Sequence, residues 1–273
     1  MGNVNIWSAF SNFVLMALRS FFLNLLFVSC FSFCSTAQQV ASPSNDEADI
    51  LYRNEASGGI QLHSNGLGIQ FRRGWHHTGF IKHMMEFELV SMRHPKQYKS
   101  PNPYYPDSKP FYFGKLNYVY FLRGGFGRQH ILYSKGERSG VEVRYNYYGG
   151  AVLGITKPVY LDILVDDPFD TLSQYKYIET RRYDPNDPDQ QAIENIYGPG
   201  PYFKGFSELK AHPGAYGKFS LSFEYNSIKQ KITSLETGVV ADYFPSAIPI
   251  MAYNDPQHLF VNFFIALSWG SKW

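Results

Sequence analysis
Apolar and polar residues alternate singly through much of this chain, and residues 259–273 show the pattern most fully. Leu259, Val261, Phe263, Ile265, Leu267, Trp269, Ser271 and Trp273 fall on one side, while Asn262, Ala266, Ser268, Gly270 and Lys272 fall on the other. A period of two marks a strand with one face in an apolar medium and the other in a polar one. A soluble sandwich strand is usually shorter and rarely ends a chain on Trp. The length, and the aromatic residue where the pattern stops, fit a strand that crosses a bilayer and closes a barrel. Phe263, Ile265, Leu267, Trp269 and Trp273 carry that closing signal.

The alternation recurs upstream. Val141, Val143, Tyr145, Tyr147, Ala151, Leu153 and Ile155 share a face opposite Glu142, Arg144, Asn146, Tyr148 and Thr156. Phe219, Leu221 and Phe223 alternate with Lys218, Ser220, Ser222 and Glu224, and Leu235, Val239 and Ala241 with Ser234, Glu236 and Asp242. Ile81, Met85, Phe87 and Leu89 alternate with Lys82, Glu86 and Glu88; Leu116, Tyr118, Tyr120 and Leu122 alternate with Lys115, Asn117 and Arg123. A first strand is expected within 60–73, where Leu67, Ile69 and Phe71 agree. With the closing strand these make seven, and a single-chain bacterial barrel takes an even number. The missing strand is expected between Pro158 and Tyr183. The fold class is therefore all-β, a closed antiparallel transmembrane barrel of eight strands, with ten as the alternative. No long apolar run supports a helical span.

The amino end agrees with export. Phe21 to Phe33 is an apolar run of signal-peptide length, and Ser35-Thr36-Ala37 ahead of Gln38 is a small-x-small cleavage site. Translation from Met16 would place Arg19 in the basic region; a membrane anchor beginning near Phe10, or acylation at Cys30, is the alternative. The expected organisation is a signal over 1–37, a periplasmic segment over 38–56 and the barrel over 57–273. Both cysteines, Cys30 and Cys34, fall in the signal, so the processed chain offers no disulfide or thiolate site. Removing Arg19 leaves 24 of the 25 basic residues against 23 acidic ones, which gives no electrostatic case for nucleic acid. A mean hydropathy of −0.27 does not exclude the membrane, because only alternate barrel residues meet lipid. An aromatic content of 18%, with 21 Tyr, suits belts at two membrane interfaces.

The polar faces pool Lys82, Lys115, Arg123, Arg144 and Lys218 with Glu86, Glu88, Glu142, Glu224, Glu236 and Asp242, five cations against six anions. An eight-stranded barrel has room inside only for its own side chains. These charges should pair across the lumen and fill it, since an unpaired buried charge costs several kcal/mol. A diffusion pore would need about sixteen strands.

Two connections are too long for ordinary hairpins. Residues 92–110 are basic, aromatic and Pro-rich; with the amino end in the periplasm and one strand before Ile81, they should emerge on the periplasmic side. Residues 166–213 should hold a short helix with Asp187 as N-cap, Pro188 at its first position and Gly198 as terminator. His94, Lys96, Tyr98, Lys99, Tyr104, Tyr105, Tyr202, Phe203, Lys204 and Phe206 are the candidate partner contacts. Loops folded back on the barrel mouth are the plainer reading. Asp184, Asp187 and Asp189 are spaced a little like calcium ligands, but Pro185 and Pro188 favour turn chemistry. His76, His77 and His83 lack a completing carboxylate, Glu86 and Glu88 are better read as partners of lumen cations than as a proton-sharing pair, and no catalytic motif or cofactor loop is present.

Several short stretches carry a resemblance: Glu55-Ala-Ser-Gly-Gly-Ile60, Asn65-Gly-Leu-Gly-Ile69, Phe71-Arg-Arg-Gly74, Gly140-Val-Glu-Val-Arg-Tyr145, Lys157-Pro-Val-Tyr160, Asn195-Ile-Tyr-Gly198, Lys204-Gly-Phe206, Pro213-Gly214 and the terminal Trp-Gly-x-x-Trp. They resemble small outer-membrane barrels of Bacteroidota, over nearly all of the processed chain. The resemblance implies a non-enzymatic accessory subunit of an envelope machine, such as the barrel-assembly machinery or type IX secretion, with outer-membrane lipid and other envelope proteins as partners and no cofactor. The competing readings are a small transporter or narrow channel, and behind it a lipid-modifying enzyme or protease.

Overall fold
A computed structural model describes residues 54–78, 81–134, 140–166, 176–225 and 230–273. The expected signal, with Met16, Cys30 and Cys34, and positions 38–53 lie outside the described residues. In chain order the strands are β1 (Asn54–His63), β2 (Gly66–His76), β3 (Ile81–Met92), the short β4 (Lys99–Ser100) and β5 (Phe111–Tyr112), β6 (Asn117–Tyr133) and β7 (Glu142–Pro158). After these come β8 (Tyr160–Asp166), β9 (Lys176–Arg182), helix α1 (Pro188–Gln191), β10 (Ile196–Pro199), β11 (Lys210–Glu224), β12 (Lys231–Ile248) and β13 (Gln257–Lys272). Eight of them close an antiparallel barrel in the order β1-β13-β12-β11-β7-β6-β3-β2. Its seam joins the first and last wall strands, β1 and β13, with Glu55 opposite Lys272 and His63 opposite Phe264.

Strand count and class follow from the alternation, but one strand lies elsewhere than expected. The stretch expected to hold one strand is a hairpin, β1 and β2, turning at Ser64 and Asn65. The stretch expected to supply the missing wall strand instead forms β8 and β9, which with β10 make a separate three-stranded sheet in the order β10-β8-β9. The β8 residues Leu161 and Ile163 pack with Phe111, Val159, Tyr183 and Ile196 in a separate core. Alternation reports only that one face is apolar, and that face can meet protein as well as lipid.

The added hairpin moves the first long connection. Three wall strands precede residues 93–116, so this connection leaves the barrel at the end opposite Asn54 and Trp273, the same end as residues 159–209. The expected exit, at the end carrying Asn54, is not the one it takes. At the other end the connections are short, spanning 77–80, 134–141 and 225–230.

The wall separates two environments. Facing out on β13, Phe263 is 68% exposed, with Leu259, Val261, Ile265, Leu267 and Trp269 also exposed; Asn262, Phe264, Ala266 and Ser268 between them are buried. Ile60, Leu62, Leu67, Ile69, Phe71, Phe87, Phe126 and Phe219 continue the outer belt around the barrel. A soluble monomer rarely exposes contiguous apolar surface beyond a few hundred Å². Among the described residues no helix is long and apolar enough to cross a membrane.

Candidate functional site
The barrel interior is stacked in layers. Nearest the end carrying Asn54 and Trp273, Lys82 bonds Glu55, Arg144 bonds Glu142, Glu224 and Gln129, and Lys272 bonds Glu224. At mid-height Arg72 donates to Glu86 (2.7 Å), to both oxygens of Glu236 and to Gln70, with its guanidinium 5.1 Å from the Tyr148 ring. Lys218 donates to Glu86 (3.0 Å) and Glu88 and lies 4.4 Å from the Phe264 ring. Arg123 grips Asp242 through two bonds of 2.7 and 2.8 Å and reaches Glu88 at 2.8 Å. Above Arg123 the lumen turns apolar, where Phe121, Phe244 and Phe260 meet at 4.9–5.9 Å between ring centroids, with Val90, Val119 and Ile248. Gly125 and Gly150 face each other across β6 and β7. A Cβ on Gly125 would lie 2.6 Å from the Tyr216 hydroxyl, so glycine there leaves room for the ring.

Sequence reasoning leaves three charged members, Arg72, Glu55 and Lys272, out of this network. Arg72 and Glu55 belong to strands that it merges or cuts short; Arg72 alternates with Phe71, which is the signal that identifies it. Lys115 is expected in the lumen and is not there. It precedes β6 by two residues, and its ammonium lies at the barrel mouth, 4.8 and 4.2 Å from the Tyr112 and Tyr118 rings, donating to Gln97 at 2.8 Å.

Burial, reinforced by the nearby Arg93, pulls the Lys115 ammonium down to about 7. The unfolded chain, with an ordinary lysine near ~10.4, therefore holds more protons between these values, and stability rises with pH across that window. Resistance of this region to protease should increase from about pH 7 to about pH 10, and Lys115→Met should flatten the dependence. An unchanged pH profile in that variant would contradict the assignment.

The two long connections fold together as a cap over the apolar mouth. Asn102, buried, donates its side-chain amide to the carbonyls of Ile193, Glu194 and Ile196 at 3.2, 3.0 and 2.7 Å. The connection after β12 joins them through Ala252, which donates to the Gly114 carbonyl at 2.7 Å. Helix α1 begins as expected, with Pro188 in its first turn and Asp187 accepting from the Asp189 amide at 3.1 Å. It ends at Gln191, earlier than expected. The backbone turns extended at Ala192 (ψ 120°), and Gly198 lies within β10, paired to Asp162, rather than ending the helix. Asp184 accepts from Asn186, Asp187 caps the helix, and Asp189 bonds Arg181, which is turn and cap chemistry. Asn102→Ala should strand the carbonyls of Ile193, Glu194 and Ile196 at about 1–3 kcal/mol. The expected outcome is faster proteolysis within the cap of a barrel that still runs as a compact, heat-modifiable band. Cleavage at the wild-type rate would contradict it.

The candidate partner contacts divide. His94 is buried and accepts from the Lys96 amide; Lys96 bonds Asn254, Lys99 lies over Tyr112, and Tyr105 packs on Tyr197. Tyr98 and Tyr104 are open to solvent. Tyr202, Phe203 and Phe206 form a cluster with centroids 5.6–6.0 Å apart, set against the outer side of β6 by a 2.8 Å bond between the Tyr202 and Tyr120 hydroxyls. Lys157 is clamped beneath them by the Tyr202 and Lys204 carbonyls, while Phe203 is 82% exposed. Lys204 itself donates to the Thr180 carbonyl.

His77 and His83 lie 4.8 Å apart, ring to ring, and among the described residues no three potential metal ligands converge. No family model matches this sequence, and comparison with curated proteins finds no match. Two solved structures resemble it as barrels. One is Ail, the attachment invasion locus protein of Yersinia pestis, in complex with the heparin analogue sucrose octasulfate, at 8% identity and TM-score 0.37, covering 81% of this chain and 99% of that one. The other is Neisserial surface protein A, NspA, at 9% identity and TM-score 0.33, covering 81% and 97%. Likeness at this level says nothing of what this chain binds.

Proposed function
We propose that this protein is an outer-membrane barrel with a filled lumen that works by protein contact, as an accessory subunit of an envelope assembly or secretion complex. The carrying observation is where the structural elaboration lies. The lumen is occupied by buried ion pairs and closed by a phenylalanine cluster, whereas both long connections build one folded cap with exposed aromatics. A conduit would need that space empty. Short connections at the end carrying Asn54 and Trp273 and long ones at the other support a periplasmic and an extracellular side, respectively. The envelope machine is supported by the resemblance to small Bacteroidota barrels alone. No catalytic step is part of the proposal.

Contact runs through Tyr98, Tyr104 and Phe203, exposed aromatics of the kind that dominate binding hot spots. Mild solubilisation and affinity purification should recover a stoichiometric envelope partner. Replacing these three residues by alanine should remove it while leaving a heat-modifiable barrel. If the intact protein brings down no partner, or conducts ions in a planar bilayer, the proposal fails.

A further inference from the structure
Every acidic side chain in the eight wall strands, from Glu55 on β1 to Asp242 on β12, belongs to the inward-facing set. Formal charge on the outer face is of one sign only, at Arg73, Arg128, Lys157 and Lys231. Two of these gather in one place. Trp75 on β2, His83 on β3, Arg128 on β6 and Tyr147 on β7 lie side by side in register. Arg73 lies two residues nearer mid-height, opposite Met85, which is opposite Phe126. With strands about 4.8 Å apart and ~3.4 Å per residue, the two arginine Cα atoms are about 12 Å apart, a span two long side chains can close over one headgroup. Both arginines are exposed, and neither has an ion pair among the described residues.

The surroundings fix the depth of this patch. Phe126, 65% exposed, and Phe87 mark the hydrocarbon side. The other flank is aromatic and imidazole: Trp75 lies 6.2 Å from His83, and His130 stacks on Tyr145 at 4.7 Å. Such rings mark a membrane–water interface, and arginines there extend their heads toward it. The patch is at the end carrying Asn54, Trp273 and the short connections. In an outer membrane that end faces the periplasm, so the adjoining leaflet is phospholipid.

We propose that Arg73 and Arg128, with His83 between them, form a headgroup site for an anionic phospholipid of the periplasmic leaflet. The phosphodiester would accept charge-assisted bonds from the guanidinium forks, with Trp75 and Tyr147 flanking the glycerol region. This rests on the membrane reading proposed above.

The test is native mass spectrometry of the purified full-length barrel after exposure to equal amounts of phosphatidylglycerol and phosphatidylcholine. About tenfold preferential retention of phosphatidylglycerol is expected. The double variant Arg73→Gln/Arg128→Gln should lose that preference while remaining heat-modifiable, and Lys231→Gln should keep it. Equal retention of the two lipids by the wild type, unchanged preference in the double variant, or preferential retention of lipid A in competition would overturn the proposal. Failure to insert into vesicles of either lipid would overturn the membrane reading itself, and is read from the heat-modifiable band before any lipid is counted.

Discussion

Arg123→Leu is expected to cost the barrel about 3–5 kcal/mol, a loss as large as any single lumen substitution should produce. Arg123 has no solvent exposure and holds two carboxylates that are equally buried, Asp242 through both oxygens and Glu88 through one. Removing it leaves Asp242 with no direct ion-pair partner among the described residues, whereas Glu88 keeps Lys218. That asymmetry gives a sharper expectation for the double variant Arg123→Leu/Asp242→Leu. It removes the stranded charge together with its partner, and apolar replacement of a whole buried pair is often neutral or stabilising. The double variant should therefore recover most of the loss. Urea titration in lipid vesicles, scored by the heat-modifiable band, measures both. A double variant less stable than the single one would mean that Asp242 is held by something other than Arg123.

Ile265→Arg should cost about 2–4 kcal/mol, because a cation at mid-depth on the lipid face has no water and no partner. Ile265 faces out on β13 between Leu62 of β1 and Thr237 of β12. Ile265→Leu at the same place should be almost silent, since fluid lipid fills any space a changed side chain leaves. The inward neighbour Phe264 behaves oppositely. It packs beside Lys218 and His63, and Phe264→Ala should cost about 3–5 kcal/mol by opening a cavity that lipid cannot reach. The same urea titration separates the three. Equal tolerance of Arg at 265 and at an exposed turn would contradict a lipid-facing position.

How far the fold can be read from sequence depends on what alternation encodes. Period two identifies a strand and its two faces, which is why the closing strand, the long β7 and most of the lumen charges are legible. It does not identify what the apolar face touches, so β8, whose Leu161 and Ile163 face the cap core, passes for wall, and so does β9 paired beside it. Nor does a single parity survive a tight turn. Ile60 and Leu62 face out at even positions, and Leu67, Ile69 and Phe71 at odd ones. That switch of parity across the two-residue turn Ser64-Asn65 marks the missed strand. Reading it would bring Arg72 into the lumen and move the 93–116 connection to the far end. The cap is not legible at all, because its joints, such as Asn102 against Ile196, link residues far apart in sequence that no local pattern relates.

Cysteine scanning of residues 259–269 in native outer membranes, with Cys30 and Cys34 replaced, most directly tests the claim that alternate residues meet hydrocarbon around a filled interior. With an environment-sensitive label and a lipid-borne nitroxide quencher, Val261, Phe263, Ile265 and Leu267 should be quenched, while Asn262, Phe264 and Ala266 should be spared or refuse the label. Loss of the two-residue period, or recovery of the labelled protein as a soluble species without detergent, would contradict the account.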